Sequence, residues 1–89
     1  MKSVITVTGN DSVGIIAKVS ALLAKYEINI VDISQTTYEN KFLMVMVVDM
    51  ENSKISFSET VNELVSLGES MGQRIQVRNK EVFDSMHRI

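Results

Sequence analysis

The chain has 89 residues, 45% of them hydrophobic, and its nine Lys+Arg against eleven Asp+Glu leave a formal net charge of −2. That length admits one domain and excludes two, and the composition is that of a globular chain with one thin core rather than a disordered one. There is no cysteine, which excludes disulfides, zinc–thiolate centres and thiol chemistry, and no cationic surplus to neutralise a nucleic-acid backbone.

Residues 2–8 alternate, with Val4 and Thr6 on one side and Ile5 and Val7 on the other, and β-branched residues dominate; this predicts a first strand. Gly9-Asn10-Asp11-Ser12 reads as a turn cluster. From Val13 the period changes: Ile15, Val19, Leu22 and Tyr26 recur at helical spacing, Ile16 and Leu23 widen the stripe, and Lys18 and Lys25 lie opposite. A helix over 13–26 follows, with Asp11 or Ser12 as its N-cap, since either side chain accepts from a free backbone N–H.

Residues 28–38 are extended, Glu39-Asn40-Lys41 makes a turn, and the wholly apolar run Phe42 to Val48 is a third strand. Two strands joined by a short polar turn make an antiparallel hairpin. A strand apolar on both faces belongs inside a sheet or under a partner. Ser56-Phe57-Ser58-Glu59 has the form of a capping box. The helix it starts carries Phe57, Val61, Leu64, Val65 and Met71 inward and stops at Gly72. Gln73–Asn79 alternates Ile75 and Val77 with Arg74, Gln76 and Arg78, a fourth strand with one wet face. Residues 80–89 place Val82, Phe83, Met86 and Ile89 at helical offsets, a short amphipathic helix.

The expected fold class is therefore α+β. It is a ferredoxin-like βαββαβ antiparallel sheet with two helices on one face, plus a short C-terminal helix. One unit spans 1–89, with its core in 1–79 and a helical segment in 80–89. The longest apolar run falls far short of the ~20 residues of a membrane helix, and the N-terminus lacks the apolar run of a signal peptide. A cytoplasmic chain with no membrane partner is expected.

Occupations of this architecture are tested at their own residues. A cluster-carrying version needs cysteines. An RNA-reading version needs aromatics on the central strands, where only Phe42 stands. An acylphosphatase-like enzyme needs a cation in the loop after the first strand, and residues 9–14 contain neither Arg nor Lys. His87, the one histidine, reads as a solvated tail residue. Glu27, Asp32 and Glu39 read as separate surface charges rather than a catalytic pair, and Met44 and Met46 as core. No catalytic residue, metal or cofactor is assigned, and the chain is not expected to be an enzyme.

The segment Gly9-Asn10-Asp11-Ser12-Val13-Gly14-Ile15 leaves a strand and enters a helix, so free N–H groups of the first helical turn face the loop. Such an end suits an anion, for example the carboxylate of an amino acid. Gly14 permits close approach of a ligand or of neighbouring backbone, and Asp11 either pairs with an ammonium group or serves as a cap. The plainer reading stands beside this one: turn punctuation at Gly9, a cap at Asp11, and a helix–sheet contact at Gly14.

Together with Ala17, Leu22, Leu23 and Asn29-Ile30-Val31-Asp32-Ile33-Ser34-Gln35, this segment resembles the ACT domain family. The likeness is to short stand-alone bacterial ACT proteins and to the ACT repeats of the glycine cleavage system regulatory protein. The resemblance implies a regulatory domain that binds an amino acid or similar small metabolite at a homodimer interface. The walls of that site would come from the loop after the first strand and from the start of a neighbour's second strand. On this chain those positions are Asn10, Asp11, Ser12, Val13, Gly14 and Ile15, with Asn29 and Ile30 opposite. With no attached enzyme or DNA-binding domain, output is expected to pass through a protein partner or through assembly. The rival readings are a ligand-free dimerisation or protein-interaction module and, less favoured, the acylphosphatase-like enzyme.

Overall fold

The computed structural model describes residues 1–10 and 13–86. Along the chain run β1 (Lys2–Asn10), α1 (Ile15–Lys25), β2 (Asn29–Tyr38), β3 (Lys41–Asp49), α2 (Phe57–Met71), β4 (Gln73–Asn79) and α3 (Lys80–Met86). The strands form one sheet in the order β2-β3-β1-β4, and every neighbouring pair is antiparallel. This is the expected ferredoxin-like arrangement.

The alternation of the strands decides which face is dry. Ile5 and Val7 of β1 lie in register with Met46 and Met44 of β3 and with Val77 and Ile75 of β4. These residues meet Ile15, Val19 and Leu23 of α1 and Leu64 of α2 in one core cluster. Phe42, Met44, Met46 and Val48 are buried while Leu43, between them, is exposed, so the apolar run at 42–48 is the interior strand its sequence suggested. On the opposite face Val4 is also buried, and α3 packs against β1 and β4. The terminal helix thus covers part of its own sheet. Phe83 is half-buried, whereas Val82 and Met86 remain exposed; His87 and Ile89 lie outside the described residues.

Three local details differ from expectation, each for a physical reason. Helix α1 starts at Ile15 rather than Val13, and its N-cap is Gly14, not Asp11 or Ser12, which lie outside the described residues. Strand β1 continues through Gly9 and Asn10, because both find partners in β3, Phe42 and Lys41. The β2–β3 turn has two central residues rather than three, Glu39 at φ 48° and Asn40 at φ 67°. Two left-handed residues in succession match the right-handed twist of the strands they join.

The second helix begins as predicted, with Glu59 N–H donating to Ser56 Oγ at 3.1 Å and Ser56 N–H donating back to the Glu59 carboxylate at 3.3 Å. Its fully buried stripe is Thr60, Leu64 and Gly68, narrower than the expected set, of which only Leu64 is fully buried. Gly68 allows this: a Cβ there would stand 2.8 Å from the Gln73 carbonyl oxygen and 2.8 Å from Ile75 Cγ1, so α2 lies closer to β4 than any other residue would permit.

Candidate functional site

The elbow between β1 and α1 is built from two strand-end residues and a glycine. Asn10 is held twice: its side-chain oxygen accepts from Lys41 Nζ at 3.3 Å, and its carbonyl accepts from Gln73 Nε2 at 2.6 Å. Gly14 adopts φ 87°, ψ 0°, a left-handed conformation that glycine accepts at no steric cost, and a Cβ built there meets nothing within 4 Å. Its role is therefore conformational and not the helix–sheet contact of the plainer reading, which Gly68 supplies instead.

The N-cap residue of the helix that follows, Gly14, makes no side-chain cap hydrogen bond. The first intrahelical bond runs from Lys18 N–H to the Gly14 carbonyl at 2.9 Å. The N–H groups of Ile15, Ile16 and Ala17 precede it and have no partner within the helix. Gly14 offers no side chain to cap them, and the first turn carries no acidic residue. Partial positive charge thus collects at the elbow, with the Lys41 ammonium beside it. Ile15 itself is buried in the core and serves the site through its backbone alone, while Val13 is fully exposed.

Asn29 and Ile30 are not near this elbow within one chain. Asn29 pairs with Asp49, which pairs with Lys2, so β2 begins at the opposite end of the sheet from Asn10. Asn29 is exposed, and Ile30 is half-buried against the core beside Val48. It is the other end of β2 that reaches the elbow: Tyr38 pairs with Lys41, and Lys41 pairs with Asn10. β2 is an edge strand ten residues long. It carries a bulge between Ile30 and Asp32 and exposes Val31, Ile33 and Tyr38.

A hollow of about 400 Å³ lies at this same end, lined by Thr8, Gly9, Thr36, Tyr38, Lys41, Phe42 and Leu43. Thr8, Leu43 and Thr36 are in register with one another on the face away from Ile5 and Val7, so most of the hollow opens on the side opposite the helices. Two contributors to the elbow escaped the sequence reading. Lys41 was taken as turn only. Gln73 shares strand parity with Ile75 and Val77, and a polar residue at a core-facing position was the available signal.

The carboxylates set aside as a catalytic pair are apart. Glu27 ends α1 near Lys54 at 3.8 Å, the Asp32 carboxylate accepts from its neighbour Ile33 N–H at 2.9 Å, and Glu39 sits in the hairpin turn. Among the described residues no group of three or more His, Cys, Asp or Glu is arranged to hold a metal ion, and no helix is long and apolar enough to cross a membrane.

Comparison with known proteins agrees with this architecture. A UPF0237 protein of Clostridium acetobutylicum is 45% identical over 89 residues, covering all of both chains. The solved ACT domain protein of Streptococcus pneumoniae superposes with a TM-score of 0.81 at 37% identity, over 94% of each chain. The regulatory subunit of aspartate kinase from Thermus thermophilus shares the fold at a TM-score of 0.69 and 24% identity, over 88% of this chain and 50% of that one. The family model described as ACT domain matches residues 3–78, from within β1 to the penultimate residue of β4. With that match spanning the whole sheet and both core helices, the chain belongs to the ACT domain family.

Proposed function

We propose that this chain is a ligand-sensing regulatory module that binds an amino acid at a homodimer interface and acts through a partner protein. One observation carries the reading: α1 opens on a left-handed Gly14 that supplies no side-chain cap, its first-turn N–H groups at Ile15, Ile16 and Ala17 have no partner within the helix, and no acid stands in its first turn. An anion is the chemical complement of such an end. Asn10, Asp11, Ser12, Val13, Gly14 and Ile15 would form this half of the site, with backbone donors rather than side chains gripping the carboxylate.

The second half follows from sheet geometry. The outer edge of β2 is unpaired and carries exposed Val31 and Ile33, and an edge of this kind is a template for another strand. Antiparallel pairing of two β2 edges would set a partner's Asn29 and Ile30 beside Tyr38, at the end of the sheet where the elbow lies. A ligand touching both copies favours the paired state in proportion to its preference for it. Thermal-shift and calorimetric titration with the twenty common L-amino acids, alongside light scattering, tests this reading. A stabilising response with a dimer is expected; no response to any of them at millimolar concentration overturns it.

The exposed Val13, Val31 and Ile33 also favour a second reading, in which this surface holds a protein and no small molecule. In that case Gly14→Val would leave partner binding intact.

A further inference from the structure

The face of the sheet away from α1 and α2 is concave at its hairpin end. Strand register puts Tyr38 and Lys41 in one row with Asn10, and Thr36, Leu43 and Thr8 in the next row with Arg74 of β4. Five of these residues, Thr8, Thr36, Tyr38, Lys41 and Leu43, line the hollow of about 400 Å³. Hollows of this size hold small organic molecules. Leu43 and Tyr38 are 45% and 71% exposed, apolar surface that gains by being covered.

The polar groups of the hollow are all donors. The Lys41 ammonium carries three N–H groups and no acceptor, and its hydrogen bond goes to the neutral side-chain amide of Asn10. Among the described residues, the hydroxyls of Thr8, Thr36 and Tyr38 make no hydrogen bond, and no carboxylate lines the hollow. The ion pairs of the described residues join Met1 to Asp49, Lys54 to Glu27 and Lys80 to Asp84, and involve neither Lys41 nor Arg74. An uncompensated cation and three hydroxyls therefore surround an apolar floor.

We propose that this hollow is a ligand site distinct from the elbow, for a small carboxylic acid with an apolar body. The carboxylate accepts from Lys41 Nζ and the neighbouring hydroxyls, while the body lies on Leu43 against the Tyr38 ring. A ligand ammonium would meet the Lys41 charge and no carboxylate, so like charges disfavour it. The hollow thus selects the simple acid over the amino acid with the same side chain. The inference stands on Thr8 and residues 36–43 and does not depend on the reading of the elbow.

The test titrates isotope-labelled protein with 3-phenylpropionate, 3-phenylpropanamide and L-phenylalanine, read by nuclear magnetic resonance. The acid should give saturable shifts at Thr8, Thr36, Tyr38 and Leu43, with a dissociation constant of about 1 mM for about a dozen non-hydrogen atoms in an open hollow. Ile15, Ile16 and Ala17 should not move with it. The amide and the amino acid should bind at the hollow about three- to ten-fold more weakly. Lys41→Met should hold acid and amide equally, and Leu43→Ser should hold neither. An amide as tight as the acid, a preference that survives Lys41→Met, or acid-induced shifts at residues 15–17 in place of the hollow would overturn the proposal. So would shifts at Tyr38 and Leu43 that follow protein concentration without ligand, which assign the hollow to a second copy. The elbow is judged separately, by the amino-acid response.

Discussion

The left-handed glycine at the head of α1 is the cheapest point at which to separate folding from binding. At φ 87° with open space where a Cβ would stand, Gly14→Ala meets no clash and loses stability only through the backbone, by about 1–2 kcal/mol. Unfolding entropy of about 2.1 cal/mol/K per residue, over 89 residues, converts that into a fall of roughly 5–10 °C in melting temperature. Gly14→Asn should lose less than about 0.5 kcal/mol, roughly 2–3 °C, because asparagine tolerates this region. Its side-chain oxygen can also accept from the first-turn N–H groups. That variant is therefore expected to fold like wild type and yet lose the amino-acid response, since its own amide takes the donors a carboxylate needs. Circular-dichroism melts and thermal-shift titrations on the three proteins give both readings. Equal melting of Gly14→Ala and wild type would refute the left-handed cap, and an undiminished response in Gly14→Asn would refute the assignment of the free donors.

Other perturbations probe the surrounding frame. Ser56→Ala removes the capping-box acceptor held by Glu59 N–H and should cost about 1 kcal/mol, seen as a melt lowered by roughly 5 °C. Glu27 stands at φ 58° where α1 ends, with Ile28 N–H donating to the Leu23 carbonyl and Glu27 N–H to the Ala24 carbonyl. Glu27→Gly relieves that left-handed strain and should raise stability by up to about 1 kcal/mol in denaturant titrations, because its exposed pairing with Lys54 contributes little. Gly68→Ala should lose about 1–3 kcal/mol by overpacking against β4. Ile33→Lys, on the exposed edge, should leave the melt of the monomer unchanged and abolish the proposed dimer by light scattering; a dimer that persists in the variant places the interface elsewhere.

Much of this fold was legible because local patterns and tertiary demands agree. The apolar run of β3, the stripe Ile15, Val19 and Leu23, and the Ser56–Glu59 box each read the same alone and in place. The misreadings came from contacts that sequence periodicity does not encode. Asn10 looks like a turn residue, but the hairpin brings Lys41 opposite and the strand runs on. Asp11 and Ser12 look like caps, but the helix begins two residues later, once Ile15 reaches the core. Gly14 was the candidate for close helix–sheet packing, whereas Gly68, within α2, supplies it. Only the separation of α2 from β4 distinguishes them, and that is set by residues distant in the chain.

The site is less legible than the fold for a related reason. Within one chain the elbow and the start of β2 lie at opposite ends of the sheet, since Asn10 pairs with Lys41 whereas Asn29 pairs with Asp49. The joint use proposed for them would therefore depend on an antiparallel neighbour, which no pattern within one copy can specify. Gln73 is different, because its signal was present: a glutamine where β4 should have buried an aliphatic residue. Strand parity makes its side chain face the helices, and register sets it against Gly9, where it leaves an acceptor without a partner. A residue that breaks its own strand's pattern here is explained by its neighbours across the sheet, since its amide lies against Gly9 and donates to the Asn10 carbonyl, contacts that periodicity along β4 cannot encode.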